Sequence, residues 1–225
     1  MERSLADVLE NGDERIIGRS RQFLSAVLIA LITIKGKVHI ILEKRAFGIK
    51  QGGEISFPGG KFEKDDRNTR NTAVRESVEE LGISCENIEV LGKFGTLVNP
   101  SGVILDAYVG KINISQLSEI KYNRAEVEKI ILVPMEFFLN TSPKVEKIAM
   151  ENIPLFSAKE LKLPKRYEKS WAGRAREVYF YSYQNEVIWG MTAEIIYEFV
   201  QELKRNGKLH MEGLKWYWAE RQQRN

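Results

Sequence analysis

A glycine-rich loop that opens into a helix constrains this sequence more than any other feature. Residues 45–60 contain five glycines and one proline, so the backbone turns sharply there and can approach a ligand closely. The pattern that follows predicts a helix over Thr69–Leu81, with Gly82 in the position of a C-terminal cap. The apolar stripe of this helix, expected to face the core, carries Val74, Val78 and Leu81. Loop and helix are therefore expected to act as one unit.

Segments rich in β-branched residues predict a sheet around that unit. Residues 26–34 and 38–42 flank a short turn, as in a β-hairpin. Further strands are expected near residues 88–95, 103–110, 127–133 and 178–183, and helices at 135–139 and 192–204. This order and the length of 225 residues predict one α/β domain built on a mixed sheet, with a helical leader at about 1–22 and a tail at about 206–225.

The composition limits the kinds of site that the chain can build. The net charge of +3 comes from 34 basic and 31 acidic residues, too even a balance to indicate a nucleic-acid or membrane surface. A polyanionic small molecule remains open as a ligand. Cys85 is the only cysteine, and His39 and His210 are the only histidines. A metal site must therefore consist mainly of oxygen ligands, which indicates Mg²⁺ or Mn²⁺.

The longest apolar run argues against a membrane span. Phe23–Ile34 is about half as long as the ~20 residues that a spanning helix needs. It also begins too far into the chain, behind a charged leader, to resemble a secretory signal. We interpret the run as a buried strand and expect a cytoplasmic protein with no membrane partner.

Three glutamates carry the candidate chemistry. On the predicted helix, Glu76, Glu79 and Glu80 fall within an arc of roughly 100°, opposite the apolar stripe. A solvated outer face is the simplest interpretation, because amphipathic helices generally have one. However, like charges at these spacings repel each other, and within the helix only Arg75 lies close enough to offset them. A divalent cation would remove the repulsion, and a carbonyl of the loop ending at Gly60 could add an oxygen ligand.

These residues resemble the signature of the Nudix family. That signature places a glycine and a glutamate ahead of Arg-Glu, an apolar residue, any residue, Glu-Glu, any residue, glycine and an apolar residue. In this sequence Gly60 and Asp66 precede the segment 75–83, which reads Arg-Glu-Ser-Val-Glu-Glu-Leu-Gly-Ile. The departures are Asp66 for glutamate, one extra residue before Arg75, and Ser77 at a usually apolar position.

The resemblance implies a Nudix-type α/β/α sandwich and a metal-dependent pyrophosphohydrolase. Such an enzyme cleaves a nucleoside diphosphate linked to another group, with bound cations that neutralise the phosphates and activate water. It also implies that Arg75 orients a glutamate, and that Glu80 or Glu76 accepts the proton of the water. The implied metal ligands are Glu76, Glu79, Glu80 and the carbonyl of Gly60.

Further matches are similar to the Nudix subgroup that hydrolyses coenzyme A. Its pattern Leu-Leu-Thr-x-Arg-Ser, then a basic residue, glycine and Phe-Pro-Gly-Gly, appears here as residues 41–46, Lys50, Gly53 and 57–60. Glu43 and Ala46 replace the threonine and serine, Lys50 replaces an arginine, and the loop from Lys50 to Gly53 is one residue shorter. Later landmarks of the subgroup are matched at residues 101–102, 123–127, 133–134 and 188–193.

The subgroup implies cleavage to adenosine 3′,5′-bisphosphate and 4′-phosphopantetheine. The 3′-phosphate of coenzyme A needs local positive charge, which Lys44 and the other basic residues of the loop could supply. For each of these basic residues a solvated surface role is the simpler alternative. The implied substrate-binding residues are Arg45, Lys50, Gly59, Gly60 and Lys61.

Several alternatives stay open. The Nudix segment recognises the shared pyrophosphate, so ADP-ribose, NADH or a nucleoside triphosphate could be the substrate. A nucleotide-binding module without activity is disfavoured because all three glutamates are present, and RNA decapping is disfavoured because the C-terminal basic residues are dispersed. Glu126 is either a distant base or metal ligand, or a surface residue at a strand end. The aromatic tail packs back on the domain or meets another chain, which leaves a homodimer open.

Overall fold

The computed structural model describes Gly18 and residues 21–205. The expected C-terminal tail and nearly all of the expected helical leader lie outside the described residues. A mixed seven-stranded sheet organises the described part, with the order β3-β2-β1-β6-β5, while β4 pairs with β1 and β7 with β2. Its strands are β1 Phe23–Ile34, β2 Lys37–Arg45, β3 Ile55–Ser56, β4 Gly59–Lys61, β5 Ile88–Asn99, β6 Val103–Ile112 and β7 Val127–Pro134.

The predicted hairpin forms the centre of this sheet. β1 and β2 pair antiparallel around the turn at Lys35 and Gly36, with Ala30 opposite Ile41. On its other side β1 runs parallel to β6, so the sheet is mixed as predicted. Eight consecutive residues of β1, numbers 25–32, are buried, which is the pattern of a strand that is covered on both faces.

Helices cover the two faces of the sheet. They are α1 Thr69–Leu81, α2 Met135–Asn140 and α3 Gly190–Arg205. Alternate residues of β1, such as Ala26 and Leu28, pack with Ala73 and Leu81 of α1 in one core cluster. The residues between them pack on the other face in a cluster with side chains of α2 and α3. The described chain is therefore an α/β/α sandwich, which confirms the predicted fold class.

The ends of α1 are those that the sequence predicts. The Asn68 side chain accepts a hydrogen bond from the Asn71 N–H, and Gly82 ends the helix in the left-handed conformation at φ 62°. Thr69, the first helical residue, donates from Oγ1 to Asp106 Oδ2 on β6 at 2.7 Å. These contacts fix where α1 begins and how it lies on the sheet.

The predicted buried face of α1 was wrong except at Leu81, which is buried. Val74 and Val78 are only half-buried and line an open groove of about 430 Å³ on the outer side of the helix. The face that meets the sheet is largely small or polar and consists of Thr69, Thr72, Ala73, Ser77, Glu80 and Leu81. Small side chains let the helix approach the sheet, and their polar atoms are satisfied locally, as where the Ser77 hydroxyl donates to the Ala73 carbonyl. The buried face of α1 thus differs from the predicted one, and Glu80 lies on the face that meets the sheet.

The glycine-rich loop contains two short strands that the sequence analysis did not predict. β3 pairs with β2, and β4 pairs with β1, so that Gly59 lies opposite Val27 and Gly60 opposite Ala26. Gly59 has φ 153°, and a side chain there would collide with the backbone of Ala26 and Val27. The close approach of this backbone to β1 therefore requires glycine.

A smaller antiparallel sheet lies towards the C-terminal end of the described chain. Its strands are β8 Lys144–Ile148, β11 Arg176–Tyr183 and β12 Glu186–Trp189, and a two-stranded ribbon comprises β9 Glu151–Asn152 and β10 Trp171–Ala172. The strand expected at 178–183 is present, but it is not the last one as predicted. β12 follows it through a tight turn at Gln184 and is too short to show a clear alternation in sequence.

Candidate active site

The turn into β4 lies directly against the glutamates of α1. The backbone N–H of Gly59 donates to Glu80 Oε2 at 2.8 Å. Any side chain at Gly60 would overlap the carboxylate of Glu76. The loop and the helix thus form one unit, as the sequence predicts, and the two glycines admit the two carboxylates.

Arg75 connects the helix to the loop that precedes it. Its Nε and Nη2 each lie 3.0 Å from an oxygen of Asp66, and Nη2 also donates to the Lys61 carbonyl at 3.1 Å. Its Nη1 lies 3.0 Å from Glu76 Oε1 and 3.2 Å from Glu79 Oε2. One guanidinium thus contacts two of the three glutamates, and the orienting role of Arg75 stays a prediction.

The three glutamates share a side of α1 but not an environment. The exposed fraction of the side chain is 3% for Glu80, 13% for Glu76 and 52% for Glu79. Glu79 points outward to Arg75, whereas Glu80 faces Gly59 and the sheet. Glu80 is buried because it lies on the face of α1 that meets the sheet.

Glu43 is a buried carboxylate that sequence reasoning did not place in the site. It is fully buried on β2, and Ser56 Oγ on the paired strand β3 donates to its Oε1 at 3.4 Å. Nη1 of Arg45 lies 4.0 Å from Glu43 Oε1 and 3.9 Å from Glu80 Oε1, so one guanidinium faces both carboxylates. The sequence did contain a pattern that places Glu43 in the site. Side chains alternate along a strand, so Glu43 lies on the same face of the sheet as Ile41, and α1 covers that face.

The segment before β7 brings Glu126 towards the same place. The Asn123 N–H donates to the carbonyl of Glu80 at the end of α1, and Asn123 Nδ2 lies 3.3 Å from Glu126 Oε1. The charge of Glu126 also raises the pKa of Glu76 and Glu80, although it is not the main cause for either. Glu126 is therefore half-buried beside the cluster and is not an isolated surface residue.

Burial sets the electrostatics of the cluster. It raises the pKa of the Glu43 carboxyl well above its ordinary value, and the adjacent charge of Glu80 raises it further. Burial also raises the pKa of Glu80, against the opposing effect of the Gly59 N–H. Asp66 behaves in the opposite way, because its hydrogen bonds with Arg75 lower its pKa to about 2. Asp66 is therefore stabilised in its ionised form. Glu43 and Glu80 have too little positive charge around them to offset the effect of burial.

Comparisons with known proteins identify the family of the chain. The sequence model of the NUDIX domain matches residues 22–149, which is more than half of the chain. The chain belongs to the Nudix hydrolase family. It is 31% identical over 181 residues to the uncharacterised Nudix hydrolase NudL of Photorhabdus laumondii, covering 80% of this chain and 84% of that one. A NudL of Yersinia pestis is also 31% identical, over 182 residues, covering 80% of this chain and 79% of that one.

A solved structure shares the Nudix fold. A MutT/nudix family protein from Enterococcus faecalis superposes with a TM-score of 0.51 at 17% identity, covering 95% of this chain and 74% of that one. As a Nudix hydrolase the protein is an enzyme that acts on phosphoric anhydrides, which confirms the predicted reaction class. Nudix hydrolases generally need divalent metal ions. None of the described helices is long and apolar enough to cross a membrane.

The donor chemistry of the cluster fits a divalent cation. No three His, Cys, Asp or Glu side chains among the described residues are arranged as a metal site, and Arg75 contacts Glu76 and Glu79 instead. Yet the site offers oxygen ligands only, and Glu43 Oε2 is buried without a hydrogen-bond donor. Hard cations such as Mg²⁺ and Mn²⁺ prefer such ligands.

The predicted substrate-binding residues lie around the cluster at different depths. Arg45 is half-buried, and its Nε donates to the Lys50 carbonyl at 3.3 Å. The side chains of Lys50 and Lys61 are exposed, and Nζ of Lys61 lies 5.5 Å from the centre of the Phe23 ring. Arg45 is thus directed at the carboxylates, whereas Lys50 is exposed on the glycine-rich loop and Lys61 at the end of β4.

Proposed function

We propose that this Nudix hydrolase cleaves coenzyme A or an acylated form of it to adenosine 3′,5′-bisphosphate and the matching 4′-phosphopantetheine. The observation that carries the proposal is the placement of Arg45, the arginine of the coenzyme A subgroup pattern, beside Glu80 of the Nudix helix. A guanidinium at this point would meet the diphosphate of a bound substrate. The order of the later subgroup landmarks in residues 101–193 supports the same subgroup.

The reaction we propose is hydrolysis of a phosphoric anhydride. Water attacks one phosphorus, the bond from that phosphorus to the bridging oxygen breaks, and the other phosphate leaves with the bridging oxygen. Glu76, Glu79, Glu80 and the Gly60 carbonyl would hold Mg²⁺ or Mn²⁺, which neutralises the diphosphate and lowers the pKa of water. Glu80 or Glu76 would accept the proton, and Arg75 would keep Glu76 and Glu79 in place.

In this proposal, different basic residues contact different phosphates of the substrate. Arg45 faces the carboxylates and would contact the diphosphate, while the backbone at Gly59 and Gly60 allows its close approach. Lys50 is exposed on the glycine-rich loop and Lys61 at the end of β4, and these two lysines would contact the 3′-phosphate. A cytoplasmic location is a further part of the proposal that derives from the sequence alone, and the sequence leaves a homodimer open.

Chromatographic product analysis tests the proposal directly. The pure protein is incubated with Mg²⁺ or Mn²⁺ and, separately, with coenzyme A, ADP-ribose, NADH and GTP. We expect adenosine 3′,5′-bisphosphate from coenzyme A at the highest catalytic efficiency. A preference for another nucleotide would keep the Nudix chemistry and discard the coenzyme A substrate. Cleavage of none of them would indicate an untested substrate or a nucleotide-binding module.

A matched pair of variants ties the activity to the glutamates. Glu80→Gln keeps the volume of the side chain but removes the charge, and it should lower kcat by roughly 10³-fold or more, since the three glutamates act as a unit. Glu198→Gln on the exposed side of α3 removes the same charge far from the cluster and should leave kcat unchanged. Wild-type turnover in Glu80→Gln would contradict the assignment.

A further inference from the structure

β2 places a carboxylate where an apolar residue is expected. Glu43 follows the buried run Ile40, Ile41 and Leu42, and its side chain is fully buried. Its Oε1 accepts one long hydrogen bond from Ser56, and its Oε2 is buried without any donor. Burial of a carboxylate oxygen without a partner costs free energy, so an oxygen in this position is expected to meet a cation or a donor in the working enzyme.

The positive charge near Glu43 and Glu80 is too small to balance both carboxylates. The Arg45 guanidinium lies near both Glu43 and Glu80, at 4.0 and 3.9 Å, which is beyond hydrogen-bonding distance for either. Arg75 is already engaged with Asp66, Glu76 and Glu79. Two buried carboxylates therefore share one distant guanidinium, and a divalent cation would balance them.

We propose that Glu43 is an additional oxygen ligand of the divalent-cation site and binds the same ion as Glu80. This inference rests on the proposed role of Glu80 as a metal ligand. It adds to the site a residue from β2, outside the Nudix segment, at the position where the coenzyme A subgroup pattern has threonine. The ion would then connect β2 to α1 near the turn at Gly59. The N–H of Gly59 donates to Oε2 of Glu80, which leaves Oε1 for the ion.

A different arrangement would leave the ion without Glu43. A protonated Glu43 could donate a hydrogen bond to Glu80 and serve only to stabilise the fold. Glu43→Gln separates the two arrangements, because a glutamine amide keeps the shape and can donate to Glu80 but cannot supply a carboxylate ligand. Glu43→Thr removes the carboxylate and restores the residue of the subgroup pattern.

The experiment measures binding of Mn²⁺ without substrate. Free Mn²⁺ is followed by electron paramagnetic resonance during titration of the metal-free protein, for the wild type, Glu43→Gln, Glu43→Thr and the control Glu128→Gln. Glu128 lies on the exposed side of β7, 3.9 Å from Lys44. We expect both Glu43 variants to bind Mn²⁺ about 10- to 100-fold more weakly, and the control to bind as the wild type does. Wild-type affinity in either folded Glu43 variant overturns the proposal.

Two further measurements keep the outcome clear. Circular dichroism with a chelator present shows which variants are folded before they are titrated. If neither Glu43 variant folds, a crystal of the wild-type protein soaked with Mn²⁺ decides: a Glu43 oxygen among the ligands of the ion supports the proposal, and its absence overturns it. Because no substrate is present, Glu43-dependent binding of Mn²⁺ can hold even where coenzyme A is not cleaved, so failure of the proposed function is seen separately.

Discussion

At the scale of single residues, Asp66 and Arg75 show how a departure from the family pattern is accommodated. Aspartate is shorter than the glutamate of the Nudix signature, yet both of its oxygens lie 3.0 Å from the Arg75 guanidinium. Its Oδ2 also accepts hydrogen bonds from the Glu63 N–H and the Thr72 hydroxyl. The shorter side chain of Asp66 thus contacts Arg75 with both oxygens across the eight residues that separate them.

Asp66→Asn should destabilise the protein in a pH-dependent way. The pKa of Asp66 is about 2 in the folded chain against 3.8 ordinarily, so its stabilising effect is present above about pH 4 and is lost as the pH falls to about 2. At pH 7 we expect the substitution to cost about 1 kcal/mol, allowing for screening by solvent. Urea unfolding at several pH values measures the difference, which should vanish towards pH 2. A difference that is independent of pH would show that the charge of Asp66 is not responsible.

Lys50 offers a test of substrate recognition at the same scale. If Lys50 contacts the 3′-phosphate, Lys50→Gln should raise KM for coenzyme A roughly threefold to tenfold and leave KM for 3′-dephospho-coenzyme A unchanged. The value of kcat should be kept with both substrates, because the 3′-phosphate lies away from the reacting anhydride. Lys147→Gln on the exposed strand β8 is the matched control. Equal losses with both substrates would place Lys50 elsewhere.

At the scale of secondary-structure elements, the sequence predicts those helices, strands and turns that are determined by the residues of a short segment. The bounds of α1, its cap at Gly82 and the hairpin of β1 and β2 were confirmed, because each is determined by periodicity and turn residues within a short segment. The buried face of α1 was predicted correctly only at Leu81, and the burial of Glu43 was not predicted. Both depend on which residues of the sheet meet the helix, and Val74 and Val78 are apolar without being central to that contact.

The strand β4 gives a prediction for an element. Gly59→Ala should destabilise the protein by more than about 1 kcal/mol, since the new Cβ would meet the backbone of Ala26 and Val27 at a φ of 153°. It should also displace the N–H that holds Glu80 and so lower kcat. Gly92→Ala is the matched control, because nothing lies within 4 Å of a Cβ at Gly92 on β5. Thermal unfolding compares the two, and equal stability of both variants would show that β4 tolerates a side chain.

At the scale of the whole molecule, the cluster joins distant parts of the chain. Glu43 comes from β2, Glu76 and Glu80 from α1, and Glu126 from the segment that leads into β7. A cation site built from Glu43 and the glutamates of α1, as proposed above, would exist only after these elements have packed together. Binding of the metal should therefore stabilise the fold as a whole, since the unfolded chain has no comparable site.

Mn²⁺ at about 100 times its Kd should raise the free energy of unfolding by about 2.7 kcal/mol. For a protein of this size, that corresponds to a rise in Tm of about 5 to 11 °C. Differential scanning calorimetry over a series of Mn²⁺ concentrations measures the shift, and an excess of chelator should reverse it. Glu80→Gln should show a much smaller rise than Glu128→Gln, because only the first lies in the cluster. An unchanged Tm in a wild-type enzyme that needs Mn²⁺ for turnover would mean that the ion arrives with the substrate, and not at a site that the folded chain provides by itself.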